Sequence, residues 1–154
     1  MSENEKPVDR SPARELLALC PIFKDEVYRR SARIGTITAL GAGGLLAGML
    51  WFAGIDEAYT VAERLLCAAG VGLFTGVLVH QIRREGGRHA GAKLALIRIE
   101  RALGLFEAGR YLPNEALYPE EWKVPPPPGR AITVPSLVVV LFAALFIVEI
   151  LIGG

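Results

Sequence analysis

The chain has few of the residues from which chemical sites are usually built. Among its 154 residues are only two cysteines, Cys20 and Cys67, and two histidines, His80 and His89. The cysteines are far apart and only Cys67 lies in an apolar segment, so we expect no disulfide. The histidines have no carboxylate cluster beside them, so we expect no metal and no cofactor. Because no nucleophile–base arrangement or pair of catalytic carboxylates is evident either, we predict that the protein is not an enzyme.

Charge is missing from long stretches of the sequence. Residues 34–55 and 65–82 contain no Asp, Glu, Lys or Arg, and residues 132–152 contain only Glu149. A helix needs about 20 apolar residues to cross the hydrocarbon core of a bilayer. The sequence therefore predicts an all-α integral membrane protein with three transmembrane helices over these segments. The alternative is that one of them, most readily the short second segment, is a buried helix of a soluble domain.

Basic residues flank the charge-free segments unevenly. Residues 1–33 contain seven Lys or Arg and residues 81–131 contain nine, whereas Arg64 is the only other one. Cytoplasmic loops are rich in Lys and Arg, so residues 1–33 and 83–131 are predicted to be cytoplasmic. The turn at 56–64 and the C-terminus at 153–154 would then be external or periplasmic. Residues 1–33 have no apolar core like that of a signal peptide, so the first span is expected to remain as an anchor in the cell membrane, an inner membrane.

Small residues recur at helical spacing in the first two spans. Rows of this kind let two helix backbones approach closely in lipid. We predict that the rows face each other and form a tight hairpin, and the same rows could instead join neighbouring copies in a homo-oligomer. They comprise Gly41, Gly44 and Gly48 in the first span, and Ala68, Gly72 and Gly76 in the second.

The N-terminal segment, residues 1–33, is predicted to contain an amphipathic helix. From Ser11 onward, apolar residues recur at helical spacing, and Pro21 is expected to kink or restart the helix. This helix would lie along the inner membrane surface before turning into the first span, or would pack on the other cytoplasmic loop. Residues 1–10 are expected to be disordered.

The long cytoplasmic segment, residues 83–131, is predicted to form a helix followed by turns. An apolar helical face runs through residues 92–108, and Gly109 is expected to end that helix. Two aromatic turns follow, which fold back on this face or lie among the lipid headgroups, and then a stiff proline-rich spacer at 124–129. The predicted face for a partner comprises Leu96, Ile99, Leu103, Phe106, Tyr111, Tyr118 and Trp122.

Glu149 is the one Asp, Glu, Lys or Arg residue within a predicted span. Carboxylates inside membranes often mark ion or proton paths. Glu149 lies near the outer end of its span, however, and Arg64 begins the second span at a similar depth. We therefore predict an outer ion pair between Arg64 and Glu149, or simple exposure of Glu149 to water.

These features together favour a non-enzymatic, self-associating anchor or scaffold whose cytoplasmic helix binds a partner. One alternative is a homo-oligomeric pore or membrane-disrupting effector, because the layout is similar in shape to small membrane effectors of bacterial defence systems. Another alternative is an accessory subunit of a larger membrane enzyme. Beyond the lipid bilayer, the expected partner is a second copy or another subunit of a membrane complex. No nucleic acid is expected, because topology explains the basic residues, and no small-molecule substrate is evident.

Overall fold

The structure, a computed structural model, describes residues 12–54, 59–124 and 128–152. Over these residues it is all-helical, as predicted, with 84% of them in helices and no named strand. The long helices are α1 (Pro12–Ala53), α2 (Val61–Ala102) and α3 (Pro128–Ile152), and a 3₁₀ helix at Glu120–Lys123 lies between α2 and α3. Residues 1–10, parts of the predicted external turn and proline-rich spacer, and the C-terminal residues 153–154 lie outside the described residues.

All three long helices are long and apolar enough to cross a membrane. Each of these helices contains an apolar 18-residue window, and little of that window is buried inside the chain. The buried share is 11% in α1, 11% in α2 and 17% in α3. Large side chains point outward as a result, and Trp51, for example, is 76% exposed. Continuous apolar surface on this scale is rare on soluble monomers, because water solvates it poorly. The three long apolar helices therefore indicate a membrane protein.

Two of the helices extend well beyond the predicted spans. α1 joins the predicted amphipathic segment to the first span without a break, and Pro21 lies inside it. α2 likewise continues from the second span into the predicted cytoplasmic helix, through the glycines at 86, 87 and 91. Of the two effects predicted for Pro21, a restart of the helix is wrong, and a kink stays a prediction. A proline removes one backbone hydrogen bond and a helical glycine costs about 1 kcal/mol relative to alanine, and neither is enough to end these long helices.

A capping box begins α2. The backbone N–H and the hydroxyl of Thr60 both donate to Oε2 of Glu63, at 2.8 and 2.7 Å. The backbone N–H of Glu63 donates in return to the Thr60 hydroxyl at 3.4 Å. This reciprocal pairing satisfies donors that the first helical turn would otherwise leave free. It explains why α2 begins at Val61, four residues before the predicted span.

A left-handed glycine ends α2 earlier than the sequence predicted. The helix ends at Ala102, and Gly104 follows with a φ of +73°. The backbone N–H of Leu105 then donates to the carbonyl of Glu100 at 3.1 Å, as in a Schellman cap. The prediction that Gly109 ends the helix is wrong, because the earlier glycine already provides the conformation that closes it. Gly109 also has a positive φ, of +80°, but it belongs to the following turn.

The chain divides into two compact units. The spanning unit consists of the described residues of Tyr28–Ala90 and Pro126–Gly154, and the small unit of those of Met1–Val27 and Gly91–Pro125. In the spanning unit, glycines allow close approach between helices: Gly41 of α1 lies against Leu78 of α2, and Gly86 of α2 lies against Ile132 of α3. The buried core of this unit consists of Ile34, Leu45, Ile82, Val139 and Ala143.

The small unit has an apolar core of its own. The end of α2 and the turn after it contribute its buried residues, which include Leu103 and Phe106. The chain then folds back, so that the rings of Tyr118 and Phe106 pack edge to face with 5.7 Å between their centroids. The hydroxyl of Tyr111 donates to the carbonyl of Leu103 at 2.8 Å. Of the two positions predicted for the aromatic turns, the structure shows Tyr118 packed back on the turn that follows α2 and Tyr111 hydrogen-bonded to it, with the Tyr111 side chain still exposed.

Candidate functional site

A buried carboxylate connects α1 to α2 within the spanning unit. Glu85 of α2 is only 5% exposed, and it faces three guanidinium groups. Its Oε2 lies 3.3 Å from Nη1 of Arg30, and its Oε1 lies 3.2 Å from Nη1 of Arg88 and 3.8 Å from Nη1 of Arg33. A buried charge is tolerated only when it is paired and hydrogen-bonded, and these contacts meet that condition. We call these four residues the Glu85 cluster.

The Glu85 cluster follows from simple helical spacing. Arg30 and Arg33 are three residues apart, so they share one face of α1, and Glu85 and Arg88 share one face of α2 in the same way. Three cations surround one anion, which leaves the cluster with an excess of positive charge. No role was assigned to Glu85 from the sequence alone. The signal that could have found it is an acidic residue just after the second charge-free segment, where α2 returns to the arginines that precede the first.

The small unit contains a second polar contact between distant parts of the chain. Nζ of Lys24 donates to the hydroxyl of Tyr118 at 3.2 Å and lies 4.0 Å from Oε1 of Glu100. Glu100 is buried, so the lysine ammonium partly compensates the cost of burying its carboxylate. This contact joins the start of α1 to the end of α2 and to the aromatic turn. The sequence did not predict it.

Two exposed ion pairs lie in the turns of the small unit. Arg110 contacts Glu107 at 2.8 Å, and Lys123 contacts Glu120 at 2.7 Å. The hydrogen bond from Lys123 lowers the pKa of the Glu120 carboxyl, and the hydrogen bond to Glu107 raises the pKa of Arg110. Both pairs join residues three apart and stabilise local turns.

Most of the predicted partner face packs within the chain. Ile99, Leu103 and Phe106 are buried, and Leu96 and Tyr118 are half-buried. They are covered because the aromatic turn folds back over the helix. The remaining two members stay open: Tyr111 is exposed, and Trp122 is 58% exposed although it packs on Tyr118 with 5.5 Å between ring centroids. The helical part of this face is therefore the core of the small unit, and only the two aromatics of the turns are accessible.

The predicted small-residue rows have different surroundings. Gly41 lies against Leu78 of α2, and Gly48 lies against Phe146 of α3. A Cβ placed on Gly44, Gly72 or Gly76 would have nothing within 4 Å. Ala68 is half-buried. The structure thus does not bring the two rows together as predicted, because α1 packs against larger side chains of α2 and α3. Contact through these rows with a second copy stays a prediction.

The predicted outer ion pair is also absent from the described residues. Arg64 and Glu149 are both half-buried, but no contact within 4.0 Å joins a nitrogen of Arg64 to an oxygen of Glu149. Arg64 instead donates its backbone N–H to the carbonyl of Thr60 at 3.1 Å, within the first turn of α2. Exposure of Glu149 to water, the other alternative, stays a prediction.

Neither histidine nor cysteine forms a cluster with metal-binding geometry. Within residues 12–54, 59–124 and 128–152, no group of three His, Cys, Asp or Glu side chains could hold a metal ion. Cys20 and Cys67 are free thiols. His80 is exposed and His89 is half-buried.

An open groove runs between α2 and α3 in the spanning unit, with a volume of about 560 Å³. Four apolar side chains form most of its walls, and Arg83, Thr133 and Ser136 add polar groups towards the start of α3. The Ser136 hydroxyl is buried and has no hydrogen-bond partner among the described residues. We call this feature the α2–α3 groove. Its lining residues are Val79, Arg83, Gly129, Ile132, Thr133, Ser136, Leu137 and Val140.

Comparison of the chain with protein-family models, curated proteins and solved structures gives no match, so its site can be interpreted only from its own residues.

Proposed function

We propose that this protein is a non-enzymatic, three-span membrane anchor or scaffold that self-associates within the bilayer. Its N-terminus and the segment between α2 and α3 lie in the cytoplasm, and its C-terminus lies on the other side. The observation that carries this proposal is the apolar surface of the three long helices, of which so little is buried inside the chain. Lipid and neighbouring copies together would cover that surface.

The Glu85 cluster supports this orientation. Arg30 and Arg33 precede the first charge-free segment, and Arg88 follows the second, yet all three contact the same carboxylate. The basic flanks of both segments therefore lie at the same end of the α1–α2 pair. Basic residues remain on the cytoplasmic side of a membrane, so this end is assigned to the cytoplasm.

The open glycines support self-association. Gly72 and Gly76 lie four residues apart on α2, and no described group lies within 4 Å of a Cβ placed on either. Lipid tails and helix side chains are both apolar, so the hydrophobic effect does not drive helices together within a bilayer. Helices in lipid associate instead through close packing of small residues. A row of this kind that is not used within the chain is suited to packing against a second copy.

The exposed aromatics of the small unit support a role in binding a cytoplasmic partner. Tyr111 and Trp122 remain open beside a packed core. Aromatic side chains on a rigid support are common at the centres of protein interfaces. The small unit would thus offer these two residues to the protein that the anchor holds at the membrane.

Self-association is tested by the mass of the native complex after purification in a gentle detergent. Wild-type protein should run as a homo-oligomer, and Gly72→Leu should reduce the assembly towards the monomer. Gly70→Leu is the matched control, because Gly70 is also open but lies about half a helical turn away from the row. A monomeric wild-type protein, or equal effects of the two substitutions, would contradict the proposal. A stoichiometric foreign protein in the purified complex would favour an accessory subunit instead, and leakage of dye from liposomes would favour a pore.

A further inference from the structure

We propose that the α2–α3 groove binds an anionic glycerophospholipid of the surrounding bilayer, with its phosphate at Arg83 and an acyl chain along the apolar wall. This inference rests on the proposed insertion of the three helices in a membrane. It adds to that function a defined lipid site formed by residues of the spanning unit.

The α2–α3 groove has a polar end and an apolar end, as a lipid has a headgroup and acyl chains. Arg83, Gly129 and Thr133 lie towards the predicted cytoplasmic boundary, whereas Leu137 and Val140 lie further along α3. From Gly129 to Val140 the helix rises by roughly 16 Å, at about 1.5 Å per residue. That length is enough for a headgroup and the upper part of an acyl chain. Basic pockets between transmembrane helices on the cytoplasmic side are sites of this kind for anionic headgroups.

Arg83 provides a positive charge that no described residue neutralises. Arg30, Arg33 and Arg88 all face Glu85, but Arg83 has no ion pair or hydrogen bond with any described residue. A guanidinium group presents several N–H donors in one plane and binds the oxygens of a phosphate through two of them at once. An anionic headgroup would supply the counter-charge that is missing here.

Ser136 provides a second, independent observation. Less than 1 Å² of its hydroxyl oxygen is accessible, and this oxygen has no hydrogen-bond partner in the part of the chain that the structure describes. Thr133, one turn earlier, donates instead to the carbonyl of Gly129 at 2.6 Å, which is the usual solution for a hydroxyl inside an apolar helix. A buried hydroxyl without a partner is unfavourable, so a change of side-chain rotamer that turns the Ser136 hydroxyl towards an acceptor on a ligand in the groove would stabilise the site. The ester and phosphate oxygens of a glycerophospholipid are acceptors of this kind.

Lipid titration followed by native mass spectrometry tests whether the charge of Arg83 contributes to lipid binding. Wild-type protein in a neutral detergent should bind phosphatidylglycerol more tightly than phosphatidylcholine with the same acyl chains. Arg83→Gln should weaken phosphatidylglycerol binding roughly fivefold and leave phosphatidylcholine unchanged, because one basic residue near a membrane surface contributes about that factor. Arg83→Lys should retain most of the binding. Arg84→Gln is the matched control, because it removes the same charge from the next residue, which does not line the groove.

A second pair of variants tests the apolar wall. Val140→Trp fills the groove without changing its charge and should weaken phosphatidylglycerol binding. Leu141→Trp adds the same bulk at a neighbouring exposed residue outside the lining and should have no effect. Displacement of phosphatidylglycerol by an equal concentration of inorganic phosphate would show that only an anion is bound, and would overturn the lipid assignment.

The outcomes separate this inference from the proposed function. Extraction of the wild-type protein from membranes by alkaline carbonate would refute membrane insertion and with it the lipid site. If the protein stays in the membrane but Arg83→Gln and Arg84→Gln weaken binding equally, the lipid site alone is refuted. If Arg83→Gln loses phosphatidylglycerol while membrane retention and oligomer mass stay unchanged, both proposals stand.

Discussion

Replacing Glu85 by glutamine preserves the shape of the side chain but removes the charge that three arginines share. Arg30 is the partner most affected, since only 24% of its side chain is exposed, whereas Arg33 and Arg88 can return to water. A hydrogen bond to a charged group contributes about 1.5–3 kcal/mol. Exposed ion pairs contribute about 0–1 kcal/mol, so the other two contacts add little. We therefore expect Glu85→Gln to lower the free energy of unfolding by about 2 kcal/mol, mostly through Arg30.

Thermal unfolding in a mild detergent, followed by far-UV circular dichroism, would measure this loss. For a chain of this size, a change of that magnitude lowers the Tm by roughly 4–8 °C. Glu107→Gln is the matched control, because Glu107 also faces an arginine three residues away, but both side chains are exposed. It should leave the Tm unchanged within error. Equal Tm values for the two variants would show that the buried carboxylate does not stabilise the helix pair, and the reasoning would be wrong.

Three further predictions concern the ends of elements. Gly104→Ala should destabilise the small unit by about 1–2 kcal/mol in chemical denaturation, because the φ of +73° at this residue is unfavourable for a side chain. Gly87→Ala is the control. Gly87 lies inside α2, and a Cβ placed on it has no described group within 4 Å, so this substitution should not destabilise the protein in the same assay. Thr60→Ala removes the capping hydroxyl and should cost about 1 kcal/mol, measured as a loss of helical signal and of Tm. Because Lys123 lowers the folded-state pKa of Glu120, their contact is present above the ordinary glutamate pKa and is lost as the pH falls through the lowered value. Acid titration followed by Trp122 fluorescence should therefore show a transition in that pH range. Lys123→Gln should move this transition to higher pH. A transition at the same pH in both proteins would show that the contact between Lys123 and Glu120 does not set it.

Hydropathy and charge predicted the parts of the fold that depend on each segment alone. The three predicted spans lie almost entirely within α1, α2 and α3, where residues 34–53, 65–82 and 132–152 are helical, because a long apolar run satisfies its backbone hydrogen bonds within a helix. Helix ends depend on single conformations and were predicted less well. Both Gly104 and Gly109 adopt a positive φ, so composition could not tell which of them would end α2.

Contacts between helices were the least accessible to sequence reasoning. The pairing of Glu85 with Arg30 joins residues 55 positions apart, and nothing in the local sequence of either residue shows it. The glycine rows failed for a related reason: spacing identifies a face of a helix but not the group that meets it. Gly41 and Gly48 meet Leu78 and Phe146, whereas a Cβ placed on Gly72 or Gly76 of the second row would have no described group within 4 Å.

The shared carboxylate of Glu85 also restricts how α1 and α2 can move past each other in the spanning unit. A piston movement of one helical turn displaces a helix by about 5.4 Å, which is beyond the reach of a hydrogen bond. Because Arg30 and Arg33 lie nearly one helical turn apart along α1, such a slip in either direction would take Glu85 out of reach of at least one of them. Motions that keep the register, such as rotation of the pair as one body or bending beyond the cluster, carry no such penalty.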